Sequence, residues 1–96
     1  MKYEQIFFSG HAIRQMFQRE IAKNDVIEVI RNGEVIVEYT DDTQYPSCLI
    51  LGFINNKPIH VVFALDQEKN TGAVITAYIP DAKLWSEDFK KRRDKK

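Results

Sequence analysis

Residues 34–79 set the strongest limit on what this chain can become. Four stretches, "EVIVEYT", "CLILGFI", "IHVVFAL" and "AVITAYI", follow one another with short polar breaks between them. All are rich in β-branched and aromatic residues, the composition of strands. Parallel strands need a crossover of a dozen residues or more, so these four are expected to run antiparallel as a meander. "NNKP" supplies the tightest break, because Asn55 and Asn56 tolerate the positive φ that a two-residue hairpin turn requires.

Strand periodicity sorts the side chains. Ile59, Val61, Phe63 and Leu65 share one face of their strand, and His60, Val62 and Ala64 share the other. In the last strand Ala73, Ile75, Ala77 and Ile79 oppose Val74, Thr76 and Tyr78. With the more apolar sets in one core, pairing Ala64 with Val74 puts His60 opposite Tyr78 and Val62 opposite Thr76. A two-residue Asn55-Asn56 turn puts Leu51 beside His60. The second face then carries His60, Thr76 and Tyr78 among Leu49, Leu51 and Phe53, and it needs a cover: a last helix through Trp85 and Phe89, or another protein.

Ahead of the strands lie a short strand in "YEQIFF" and two helices. Ser9 is a good N-cap for "GHAIRQMFQRE", where Ala12, Ile13, Met16 and Phe17 gather on one side and His11, Arg14, Gln15 and Gln18 on the other. "NDVIEVIRNG" reads as a second helix capped by Asn24 and stopped by a left-handed Gly33. After Pro80, Asp81 can cap a C-terminal helix. The expected fold is α+β: two N-terminal helices packed on a four-stranded antiparallel meander sheet, with a short N-terminal strand and a C-terminal helix.

Ninety-six residues make one domain, expected over 1–89, with 90–96 as a basic, flexible tail. The net charge is zero, yet the last seven residues carry +5 and the rest −5. An acidic body is the reverse of the usual nucleic-acid-binding surface. No apolar run spans a bilayer, the N-terminus does not read as a signal peptide, and one cysteine, Cys48, fits a reducing cytosol. The expected location is cytoplasmic, with no membrane partner.

Histidine titrates near neutral pH, so His11 and His60, with Tyr78, are candidates for general acid and base. Arg14 and Arg19 can hold a phosphate through charge-assisted bonds. Such a set suits RNA cleavage by 2′-hydroxyl attack, so the candidate catalytic residues are His11, Arg19, His60 and Tyr78, with Arg14 and Thr76 as substrate-binding residues. A single site requires His11 to lie near the His60–Tyr78 face. No metal-ligand spacing or cofactor motif is present, and neither a metal nor a cofactor is expected.

At "HAIRQMFQREI", "NDVIEVIRNGEVI", "HVVFAL" and "TAYIP" the chain resembles a bacterial domain-of-unknown-function family that opens with H-A-x-x-R-M-x-x-R and closes with a T-x-Y-x-P strand. His11, Ala12, Met16, Arg19, Gly33, His60, Val61, Thr76, Tyr78 and Pro80 fit it, and Arg14 stands one position from the commoner spacing. The element order is also similar to that of RelE- and ParE-type toxins of bacterial toxin–antitoxin pairs, a fold-level analogy. That similarity implies a metal-independent endoribonuclease, with RNA or the ribosome as target and a small antitoxin as partner. Those toxins are strongly basic, and this body is not. The alternative is a non-catalytic protein-interaction module, or a homodimer, in which the same polar residues fasten the fold.

Overall fold

Seven elements follow along the chain: β1 (Gln5–Phe8), α1 (Gly10–Gln18), α2 (Lys23–Asn32), β2 (Glu34–Tyr39), β3 (Ser47–Ile54), β4 (Lys57–Asp66) and β5 (Thr71–Tyr78). The structure is a computed structural model that describes residues 3–39, 45–66 and 68–93. Residues 40–44, which include the start of the stretch "DDTQYPS" expected to be a loop, and the tail residues 94–96 lie outside the described residues.

The sheet has five strands in the order β1-β5-β4-β3-β2, and it is mixed. β2 to β5 form the expected antiparallel meander, but β1 adds to it in parallel, pairing Gln5–Phe8 with Thr71–Val74. No short loop joins β1 to β5. The two helices lie between them in sequence, so nothing forces that pair antiparallel. The four-stranded antiparallel sheet expected from the sequence is thereby corrected to a five-stranded mixed one.

Asn55 and Asn56 adopt φ of 52° and 68° and close the β3–β4 hairpin. Leu51 accordingly pairs with His60. On the other side of β4, His60 pairs with Tyr78 and Val62 with Thr76. Beyond that point the register slips: Phe63 pairs with Val74, leaving Ile75 as the extra residue of a bulge. A bulge reverses the in-out alternation of the strand that carries it. Val74 and Ala77 therefore both reach the core, and Ile75 stays 42% exposed, although alternation alone assigned Ile75 and Ala73 to the core and Val74 to the other face.

Both helices pack on one face of the sheet. Ala12 and Met16 of α1 and Val26, Val29 and Ile30 of α2 meet Cys48, Ile50, Ile59, Val61 and Phe63 there. The Ser9 hydroxyl caps α1 by accepting from the Ala12 N–H at 3.0 Å. α2 starts at Lys23 after Ala22, without a side-chain cap, so Asn24 is not its N-cap. Gly33 ends α2 with an extended φ of −80° rather than a left-handed one. Its lack of a side chain is required by space, since a Cβ would lie 2.5 Å from the Val29 carbonyl oxygen and 2.6 Å from that of Leu51.

No C-terminal helix forms; residues 81–93 fold into a strap of turns. The Leu84 and Trp85 N–H groups bond to the Asp81 carbonyl, which gives one turn. Side chains then take over the backbone groups a helix would need. The Asp88 carboxylate accepts from the Ser86 hydroxyl at 2.6 Å and from the Lys90 N–H at 3.1 Å, and the Lys91 N–H donates to the Ser86 hydroxyl at 3.2 Å. Phe89 takes a left-handed φ of 62°. Bonds from Ser86 N–H to Lys91 O and from Arg93 N–H to Leu84 O, each 2.8 Å, return the chain on itself with Trp85 bridged to Arg92.

The strap lies across the sheet face opposite the helices. Trp85 is 7% exposed, its ring edge-to-face with His60 at 4.4 Å. Phe89 meets Phe53 with ring centroids 6.4 Å apart, and Lys90 reaches Glu34 at 3.1 Å. Trp85 and Phe89 thus cover the part of the second face around His60, as the sequence pattern anticipates, without being helical.

Candidate functional site

The site begins with His60, placed at mid-strand on the face under the strap. It is fully buried, the one polar residue in the buried set among the described residues. Its Nε2 lies 2.8 Å from the Phe89 carbonyl oxygen, and a carbonyl can only accept, so the proton sits on Nε2. Nδ1 then has a free lone pair, which takes the Tyr78 hydroxyl proton at 3.2 Å. Both ring nitrogens are satisfied with the imidazole neutral. Burial pushes the His60 pKa below its usual 6.5, outweighing the Phe89 carbonyl that favours the charged form.

Tyr78 is half-buried at the end of β5. Burial raises its pKa above the usual 10 and the nearby Tyr39 phenol adds to this, while the charges of Arg92 and Arg19 pull the other way. The two arginines come from opposite ends of the chain. Arg92 lies over the Trp85 ring, 5.6 Å from its centre. Arg19 reaches the site from just past α1, on the side that faces β5.

β1 ends at Phe8, which leaves the outer edge of β5 beyond Val74 without a strand neighbour, β4 lying on its other side. α1 fills the gap with side chains. Arg19 Nη1 donates to the Ala77 carbonyl at 2.9 Å and to Gln15 Oε1 at 3.3 Å, and the Thr76 hydroxyl donates to the same Gln15 oxygen. Gln15 stands where the H-A-x-x-R spacing puts its first arginine, and it couples Arg19 to Thr76. Its position four residues before Arg19 was readable as a shared helix side. That the shared side faces a strand edge was not.

Of the residues named from the sequence, Arg19, His60, Thr76 and Tyr78 come together at the end of β5. His11 and Arg14 do not join them. Both are exposed on α1, in the helix layer, and neither side chain makes a hydrogen bond or ion pair among the described residues. The two histidines therefore do not share a site. Trp85, Phe89 and Arg92 complete it from the strap, which periodicity had drawn as a helix. No group of three or more His, Cys, Asp or Glu side chains among the described residues is placed to hold a metal ion. Among those residues, no helix is long and apolar enough to cross a membrane.

These residues also fix the chain's relationships. A family model described as a domain of unknown function (DUF4258) matches residues 8–79. The chain belongs to that family. The DUF4258 region thus contains α1 with Gln15 and Arg19, the His60–Tyr78 pair and β5, and it stops short of the strap at 81–93. No curated protein and no solved structure is significantly similar to the chain.

Proposed function

We propose that the chain is a toxin-like domain of RelE or ParE type that cleaves RNA, with Tyr78 as its proton donor. The observation carrying this reading is the convergence on one phenol: His60 accepts its hydrogen bond, and Arg19 and Arg92 both act on it. A phenol whose pKa lies above its ordinary value stays protonated at neutral pH, which suits an acid rather than a base. In the proposed step a ribose 2′-oxygen attacks the adjacent phosphorus and loses its proton to solvent. The bond to the 5′-oxygen breaks, and the Tyr78 hydroxyl turns from His60 Nδ1 to give that oxygen its proton, which the phenolate then regains from solvent. Arg19 has N–H groups left over from its bonds to Ala77 and Gln15, and with Arg92 it offsets charge on the phosphate. His60 is a positioning residue here, since its ring is enclosed and meets no substrate.

A second reading, a non-catalytic interaction module, is favoured by the complete burial of His60 under the strap. Purified protein incubated with total RNA and with ribosome-bound RNA separates the two. Tyr78→Phe keeps the ring, loses the hydroxyl, and should lower cleavage about 100-fold or more while the variant stays folded. Absence of cleavage of either substrate by the wild-type protein would sink the nuclease and leave the module.

A further inference from the structure

His60 has one place left to take up a second proton. Its Nε2–H is already given to the Phe89 carbonyl at 2.8 Å, so an incoming proton goes to Nδ1, 3.2 Å from the Tyr78 hydroxyl. A charged imidazole has two donors and no acceptor. The Tyr78 oxygen must then accept where its hydroxyl had donated, and the phenolic proton turns away from the ring. The bond to Phe89 survives the change and strengthens, because its donor is now charged. The strap therefore stays docked while the hydroxyl reverses.

We propose that His60 is a pH-controlled latch on the Tyr78 hydroxyl: the neutral ring holds the phenolic proton inward, and the charged ring frees it for transfer. The consequence rests on the nuclease reading, in which that proton goes to the leaving 5′-oxygen; the reversal itself rests on the two His60 bonds. Beside a neutral ring, a hydroxyl that turns to the substrate leaves Nδ1 buried and unpaired. Beside a charged ring it already points outward, and Nδ1–H steadies the phenolate left by the transfer. Around the pair, β3 places apolar Leu51 next to the ring, and the strap places Trp85 against it with centroids 4.4 Å apart. Arg92 and Arg19 act on the Tyr78 phenol, as does Tyr39 from β2. Two carboxylates of the region are engaged elsewhere: Glu34, in the cross-strand row of Leu51 and His60, pairs with Lys90, and Asp88 beside Phe89 accepts from Ser86 and Lys90. Burial puts the turning point on the acid side of 6.5, against the pull of the Phe89 carbonyl.

The test is a pH titration of wild-type protein and His60→Gln by NMR, following the His60 ring nitrogens and Tyr78 Cζ, with circular dichroism to confirm folding at each pH. The glutamine amide can donate to Phe89 while its oxygen accepts from Tyr78, the pattern of a neutral ring at every pH. In the wild type, Tyr78 Cζ should move upfield, away from its phenolate position, with the midpoint at which Nδ1 takes its proton. In His60→Gln it should stay in place. Trp85 emission should keep its buried wavelength throughout. Equal Cζ shifts in the two proteins, a downfield shift, or a His60 ring that stays neutral until the chain unfolds each overturn the latch. A red shift of Trp85 emission at the His60 midpoint overturns it too, since the proton then frees the strap instead of the hydroxyl. The ratio of wild-type to His60→Gln cleavage of RNA should rise about tenfold or more over the same interval, less than the whole effect of a positioned proton donor. A flat ratio with the Cζ shift present overturns the control of cleavage. The expected shift without cleavage at any pH refutes the nuclease and keeps the latch, and cleavage without the shift does the opposite.

Discussion

His60 shows how much one buried polar side chain can hold together. Its ring joins β4 to β5 through Tyr78 and joins the sheet to the strap through Phe89. His60→Ala removes both bonds and leaves a cavity beside Trp85 and an unpaired Phe89 carbonyl. The expected loss is about 3–4 kcal/mol, measured by urea unfolding. The same residue sets a pH dependence whose sign follows from its lowered pKa. Well above 6.5 the ring is neutral in both folded and unfolded chains, and its titration adds no pH dependence to stability. Below that value the unfolded chain takes up the proton first, so stability falls as pH drops toward the lowered native pKa, where the penalty is complete. The wild-type urea midpoint should fall between about pH 7.5 and pH 5.5, and that of His60→Gln should fall less. Parallel falls in the two proteins would show that other groups govern the dependence.

Among the elements, β4 and β5 are locked by one contact that depends on a missing side chain. A Cβ on Gly72 would lie 2.0 Å from Phe63 Cζ, so the glycine makes room for the ring. Gly72→Ala should cost about 2 kcal/mol or more through overpacking. Phe63→Leu alone should cost roughly 1–2 kcal/mol through lost volume. Because the two residues touch, the double variant should lose at least about 1 kcal/mol less than the single losses combined. Additive losses would mean that the strand shifts instead of the ring. Such contacts explain what could be read at this scale. The His60–Tyr78 and Leu51–His60 pairs were legible, because a two-residue turn and a period of two leave little freedom. The bulge at Ile75 was not: one extra residue leaves the local pattern unchanged and reverses the faces beyond it. The strap was missed for a related reason. Leu84, Trp85 and Phe89 have helical spacing, but Ser86 and Asp88 spend their oxygens on nearby backbone N–H groups, and that competition leaves no trace in an apolar pattern. At the candidate site, His11 and His60 were joined on chemistry alone, while the fold assigns them to different layers.

In the whole molecule, helices cover one face of the sheet and the strap covers half of the other. Trp85 is the chain's single tryptophan, so its fluorescence reports whether the strap is docked. Releasing the strap would leave the His60 Nε2–H without its partner and expose Trp85, so strap and body should unfold together. Fluorescence and far-UV circular dichroism are expected to give the same urea midpoint, and a fluorescence change well ahead of the other would show independent release. The parallel β1–β5 pair adds a constraint of order in time. β1 leaves a ribosome before the other four strands, and the strand it must pair with is the last of the five to appear. The pair also closes a long loop, the kind of contact that slows folding. The meander and helices can therefore collapse as synthesis proceeds, but the sheet gains its outer strand only once β5 has been made. Until then the backbone of the earliest-made strand waits in water for its mate.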